Sequence, residues 1–170
     1  MVFALASCTQ DVKNKDKKEQ NAESSELTRS KSMDFLALVL QMSMEDIKLA
    51  KMAQERSPTH SIQELAKKIE AGHTMILNHI RVFAEKKGLS LSPEVSDENE
   101  YHALATLQGT NFDQEFCGYM VKEHENAIDN FEGAAADESM DADIKSWADS
   151  MIPVFRSNME AASTLLQQNE

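Results

Sequence analysis

Four stretches of this chain repeat apolar residues at spacings of three and four, the period that gathers side chains onto one face of an α-helix. The first stripe is Phe35, Val39, Met42, Leu49, Met52 and Ala53, and the second is Ile62, Leu65, Ile69, Ile76, Ile80 and Phe83. Phe112, Phe116, Met120, Ala127, Ile128 and Phe131 form the third, and Ile144, Trp147, Met151, Phe155, Ala162 and Leu165 the fourth. Three prolines and five glycines in 170 residues, with ten methionines, also favour helices over sheets. The fold class is therefore all-α.

Start and stop signals bound the stripes. Ser32 is placed to cap a helix opening at Met33, which should close near Arg56. Ser57-Pro58 reads as an N-cap followed by proline at the first helical position. Lys86-Lys87-Gly88 supplies two cations in a last turn and the glycine that ends it. Asn111 with Gln114 has capping-box spacing, and Asp141 can cap the last helix, where Pro153 should cause a kink. The expected helices are 33–56, 58–87, 111–136 and 142–168.

Short links within the first and last pairs imply two antiparallel hairpins. Residues 89–110 form a connection long enough to run the length of a bundle, with one short helical piece in which Tyr101, Leu104 and Leu107 could cover an end. Two hairpins joined this way describe a ferritin-like four-helix bundle over 33–168. An up-down-up-down bundle is the alternative.

The first 32 residues read differently. Leu5-Ala6-Ser7-Cys8 is similar to a bacterial lipobox, with small side chains before a cysteine that would carry lipid. Residues 1–8 are thus a lipoprotein signal remnant, although the apolar run is short and lacks a basic start. The competing reading is an unstructured N-terminus with an incidental cysteine. Residues 9–32 carry six basic and five acidic side chains and few apolar ones, the composition of a flexible polar tether. This layout points to the bacterial cell envelope, in the periplasm or at the outer membrane, with the membrane reached through lipidated Cys8. The formal charge is −12, and residues 33–170 hold 11 basic and 24 acidic side chains, which argues against nucleic acid as a partner.

The stretch Met120-Val121-Lys122-Glu123-His124-Glu125-Asn126-Ala127-Ile128-Asp129-Asn130-Phe131-Glu132 resembles the M-V-x-x-H-x-x-A-x-x-x-F-E motif of domain-of-unknown-function family 4142. Ser57-Pro58, His73-Thr74, Ala84 to Gly88, Ile152-Pro153 and Asp46 with its neighbours agree with it, so the resemblance spans roughly 33–166. It implies a ferritin-like fold in exported bacterial proteins, often lipoproteins, and no established reaction. The family often has a histidine five residues after the proline, where this chain has Asn158.

Each helix carries one polar residue at an interior position of its stripe: Asp46, His73, His124 and Asn158. Burying such groups without partners is costly, so they should pair or point outward. Glu70 and His73 have the Glu-x-x-His spacing of ferritin-like metal proteins, whereas Val121 stands three residues before His124. Glu70, His73, His124 and Asp46 are the candidate ligands for one transition ion (iron, manganese, zinc or copper). Counting axially from the hairpin turns, His124 and Asn158 should differ in height by about 9 Å, which opposes a shared site. The competing reading is histidines hydrogen-bonded to carboxylates such as Glu70 and Asp46. Cys117 reads as a small core residue, and His60, His79 and His102 as surface residues. No phosphate loop, Ser/His/Asp order or CxxC pair is present. The chain reads as a non-enzymatic envelope bundle with a binding or structural role. The alternative is a metal-binding bundle that could act against oxidative stress.

Overall fold

The computed structural model describes residues 8–92 and 99–168, with side chains from residue 17 onward. Five helices account for almost all of it: α1 (Cys8–Arg56), α2 (His60–Lys87), α3 (Asn99–Thr106), α4 (Gly109–Ala136) and α5 (Ala142–Gln168). No strand occurs among the described residues.

The long helices pair in sequence order, α1 with α2 and α4 with α5, while α1 touches α4 and α2 touches α5. Side-chain bonds set the directions. Arg29 of α1 donates to the carbonyls of Lys87 and Gly88, and Gln54 to Glu70, so α1 and α2 run antiparallel. Lys31 meets Asp137, and Arg56 lies over the Phe112 ring, so α4 is also antiparallel to α1. Lys86 bonds Asp143, and Lys68 bonds Ser157, which orients α5 against α2. The chain leaves α2 at the end held by Arg29. It enters α4 at the other end, where Arg56 donates to the carbonyls of Ala105 and Leu107. Leu104 of α3 is buried there, Leu107 is partly buried and Tyr101 is largely exposed.

The start of α1 corrects the expected tether over 9–32. The helix has 49 residues and runs back to Cys8, far before Met33. No glycine or proline interrupts 8–56, and Lys, Glu, Gln and Ala are good helix formers, so polar composition did not imply an irregular backbone. Ser32, expected as the cap, is buried inside α1 and donates to the Thr28 carbonyl. Residues 17–27 are exposed, so about 20 residues, roughly 30 Å of helix, project past the end of the bundle. Residues 1–7 and the Cys8 side chain lie outside the described residues.

Two helix starts also moved. Thr59 takes the N-cap position of α2, while Ser57 is buried and its hydroxyl accepts from the Thr59 N–H at 3.1 Å. α4 begins at Gly109, in the left-handed region at φ 60°, so Asn111 lies inside the first turn instead of capping it. Gly88 ends α2 at φ 59°, with its N–H returned to the carbonyls of Ala84 and Glu85. Asp141 caps α5 by accepting from the Asp143 N–H at 3.0 Å, and α5 is continuous through Pro153.

The apolar core is divided in two. One cluster holds Phe35, Val39, Ile76, Ile80, Phe131, Trp147 and Phe155, and the other Leu49, Ala53, Ile62, Ile69, Phe112, Phe116 and Met120. The division falls at the same height on all four long helices.

Candidate functional site

A layer of polar side chains fills that division. Asp46, His73, His124 and Asn158 come from four different helices and are 3%, 2%, 1% and 2% exposed. Each sits between the last apolar residue of one cluster and the first of the other. The 3.6-residue repeat that builds the stripes therefore carries these groups inward with their neighbours.

His73 links the first hairpin. Its Nδ1 lies 3.2 Å from the Ser43 hydroxyl, and its Nε2 lies 3.1 Å from Oδ2 of Asp46. Despite that distance, Nε2 makes no hydrogen bond. His124 links the second hairpin. Its Nδ1 donates to the Met120 carbonyl at 2.9 Å, which fixes the tautomer and leaves Nε2 with a lone pair. The Asn158 amide donates to that Nε2 at 3.4 Å, while Oδ1 of Asn158 is buried without a partner. The two imidazoles meet edge to face across the hairpins with centroids 5.7 Å apart, and Phe155 packs against both at 5.9 and 5.8 Å.

The axial mismatch expected between His124 and Asn158 is absent. Helical side chains lean toward the N-terminus of their own helix. His124 therefore leans away from the α4–α5 turn and Asn158 toward it, which closes the gap. Glu70 is the candidate that the structure removes from the core. Its carboxylate faces outward, accepts from Gln54 at 2.7 Å and lies 3.7 Å from Lys51 Nζ. It lies three positions before His73, but those positions diverge enough for the longer glutamate chain to reach solvent. Of the histidine–carboxylate pairs expected, only Asp46 and His73 come close, and without a hydrogen bond between them.

Burial governs the charge states. The His73 imidazole is pushed down to about 3, first by desolvation and then by His124. Desolvation likewise pushes His124 down to about 4, against the Met120 carbonyl, which favours its protonated form. Burial raises the Asp46 carboxyl well above the usual range, helped by the nearby charges of Glu123 and Glu45. His73 is thus neutral near pH 7 and burial disfavours an ionised Asp46, so the two do not make a strong ion pair.

Two buried polar residues escaped the sequence reading. Ser43 lies three residues before Asp46 on the same face, a spacing that could have flagged it. Asp113 is fully buried; Oδ2 accepts from the Thr59 hydroxyl at 2.6 Å, and Oδ1 is unpartnered. Its position beside Phe112 gave no signal, because only the α1–α2 link brings Thr59 to it. Cys117 is buried as expected, and burial with the Asp113 charge pushes its thiol up to about 12. His60, His79 and His102 are exposed, with His79 stacked on Trp147 at 5.9 Å.

Surface hollows lie between Lys48 and Tyr101, between Glu132 and Pro153, between Val121 and Gln167, and beside Arg29. None of these is lined by a member of the polar layer. Among the described residues, no group of three or more His, Cys, Asp or Glu side chains is placed to hold a metal ion. No helix of the described residues is long and apolar enough to cross a membrane.

Residues 16–165 match the family described as "Domain of unknown function (DUF4142)". The fold is similar to that of a DUF305 fragment from Deinococcus radiodurans, with TM-score 0.74 and 17% identity over 81% of this chain and 95% of that one. A DUF305 protein from Streptomyces coelicolor gives TM-score 0.68 and 14% identity over 78% and 91%. At these identities the likeness is one of fold. No curated protein matches the sequence.

Proposed function

Since the chain belongs to the DUF4142 family, we propose that it is a lipid-anchored, non-enzymatic helical module of the bacterial cell envelope. In this reading it has a binding or structural role, and its helix directions follow the ferritin-like plan. The observation that carries the non-enzymatic part is the sealed polar layer. Its imidazoles are neutral, buried and apart from the described hollows, whereas a catalytic acid or base must reach a substrate proton. The high thiol pKa of Cys117 likewise disfavours a nucleophilic role.

The envelope part rests on Leu5-Ala6-Ser7-Cys8, and a structural neighbour from Streptomyces coelicolor is described as a candidate secreted protein. The projecting start of α1 suits such an anchor, because it would hold the bundle about 30 Å from an acyl chain on Cys8. Fractionation of cells expressing the full chain and Cys8→Ser tests the anchor. The substitution should move the protein from the membrane to the soluble fraction. Retention in the membrane by the variant would refute the lipid anchor.

A further inference from the structure

We propose that the polar layer is a closed site for one divalent transition ion, held by Nε2 of His73, Nε2 of His124 and the carboxylate of Asp46, with Oδ1 of Asn158 as fourth donor. The arrangement of the two histidines motivates this. Each has Nδ1 engaged by a neighbouring oxygen, the Ser43 hydroxyl for His73 and the Met120 carbonyl for His124. Such outer contacts orient imidazole ligands and direct the other nitrogen toward a metal. That other nitrogen is poorly used at both residues: His73 Nε2 makes no hydrogen bond, and His124 Nε2 has only the long contact to Asn158.

Asn158 supplies a second, independent sign. Its residue is 2% exposed, yet Oδ1 has no partner. Turning the amide over would present Oδ1 where Nδ2 now meets His124. One ion would then take up both Nε2 of His73 and Oδ1 of Asn158, with Nδ2 moving to the position that Oδ1 now holds.

The donors do not yet converge, and the cause is visible. Asp46 sits against His73 at 3.1 Å, the Asn158 amide occupies the His124 lone pair, and the rings stand edge to face. Binding would replace those contacts with bonds to the ion after side-chain rotation within the layer. Desolvation, Glu123 and Glu45 now disfavour an ionised Asp46, but a cation would reverse that balance, and the two glutamates would add favourable charge.

Two imidazoles with hard oxygen donors suit a borderline ion such as Zn²⁺ or Co²⁺, whereas Ca²⁺ and Mg²⁺ take oxygen ligands. A four-donor site closed to solvent is structural in kind, and this one would join the two hairpins across their shared seam. It differs from the Glu-x-x-His pattern of ferritin-like proteins, because Glu70 takes no part.

Cobalt reports on this directly. The full chain, stripped with chelator and refolded with CoCl₂ so that closure does not limit entry, should bind one equivalent. It should show the intense visible absorption of tetrahedral Co²⁺, and added Zn²⁺ should displace that signal. At free metal one hundred times Kd, the unfolding equilibrium should shift about a hundredfold toward the folded state. His73→Gln and His124→Gln should each abolish the absorption, and Asn158→His should tighten binding at least tenfold. Because the glutamine variants could misfold, Asn158→His stands as a second arm that adds a ligand. The proposal is overturned if the wild type shows no tetrahedral spectrum. It is also overturned if the spectrum survives both glutamine substitutions or if Asn158→His does not increase affinity.

Discussion

Acidification should destabilise this fold through the polar layer, and the size of the effect follows from two imidazoles. A histidine whose folded pKa lies below its unfolded value of 6.5 favours folding fully above that value, and the contribution is lost as pH falls toward the folded value. With folded values of about 3 for His73 and about 4 for His124, lowering pH from 7 to 5 costs about 2 kcal/mol for each ring. Asp46 opposes this. Its raised carboxyl value makes the folded state more favourable as acid neutralises it, and an ionised Asp46 would shelter a protonated His73. Glu123, also raised chiefly by burial, acts in the same direction. His124 has Asn158 and a carbonyl beside it but no bonded carboxylate, so its share is not offset by direct pairing. The two rings alone would cost about 4 kcal/mol, and neutralisation of Asp46 and Glu123 brings the net loss below that sum. Urea titration at pH 7, 6 and 5 with chelator present should show a fall in midpoint of up to about 2 M, for a slope of about 2 kcal/mol/M. His124→Gln should remove about half of the pH dependence. A His124→Gln chain with the same pH dependence as the wild type would mean that this imidazole is not held neutral, and the account of the layer would be wrong.

Four further outcomes follow from particular contacts. Phe131→Ala should cost about 3–5 kcal/mol by urea unfolding, since its ring is fully buried against Phe35, Trp147 and Phe155. Thr59→Val should cost about 1–3 kcal/mol, because it deprives the buried Asp113 carboxylate of its hydroxyl donor; a change below 0.5 kcal/mol would contradict that role. Iodoacetamide should alkylate Cys117 at neutral pH far more slowly in the native protein than in urea, as mass spectrometry of a Cys8→Ser chain would show. Glu23→Pro should reduce far-UV helicity while leaving the thermal midpoint within a few degrees, because residues 17–27 are exposed. A large drop in the midpoint would show that the projecting helix supports the bundle.

The polar layer was half legible. The apolar period at Met42, Ile69, Met120 and Phe155 marks Asp46, His73, His124 and Asn158 as interior on four separate helices, and all four are buried. Their meeting at one height was not legible, because residue counting from a turn ignores the lean of each side chain along its helix. Glu70 failed for a related reason: the Glu-x-x-His spacing puts two residues near one face, but the glutamate chain is long enough to find Gln54 and the solvent edge. Asp113 was invisible, since its partner Thr59 is 54 residues away.

What the amino-acid order determines alone is the helical class, the ends at Arg56, Lys87, Ala136 and Gln168, and the inward faces. These depend on period, caps and propensity within a few turns. Tertiary structure decided how the polar groups are paired, while the reach of α1 follows from helix formers that its composition alone did not mark as helical. A solvated charged segment has the same composition whether helical or irregular. The partner of a buried imidazole is chosen by how two hairpins pack, which local sequence does not encode.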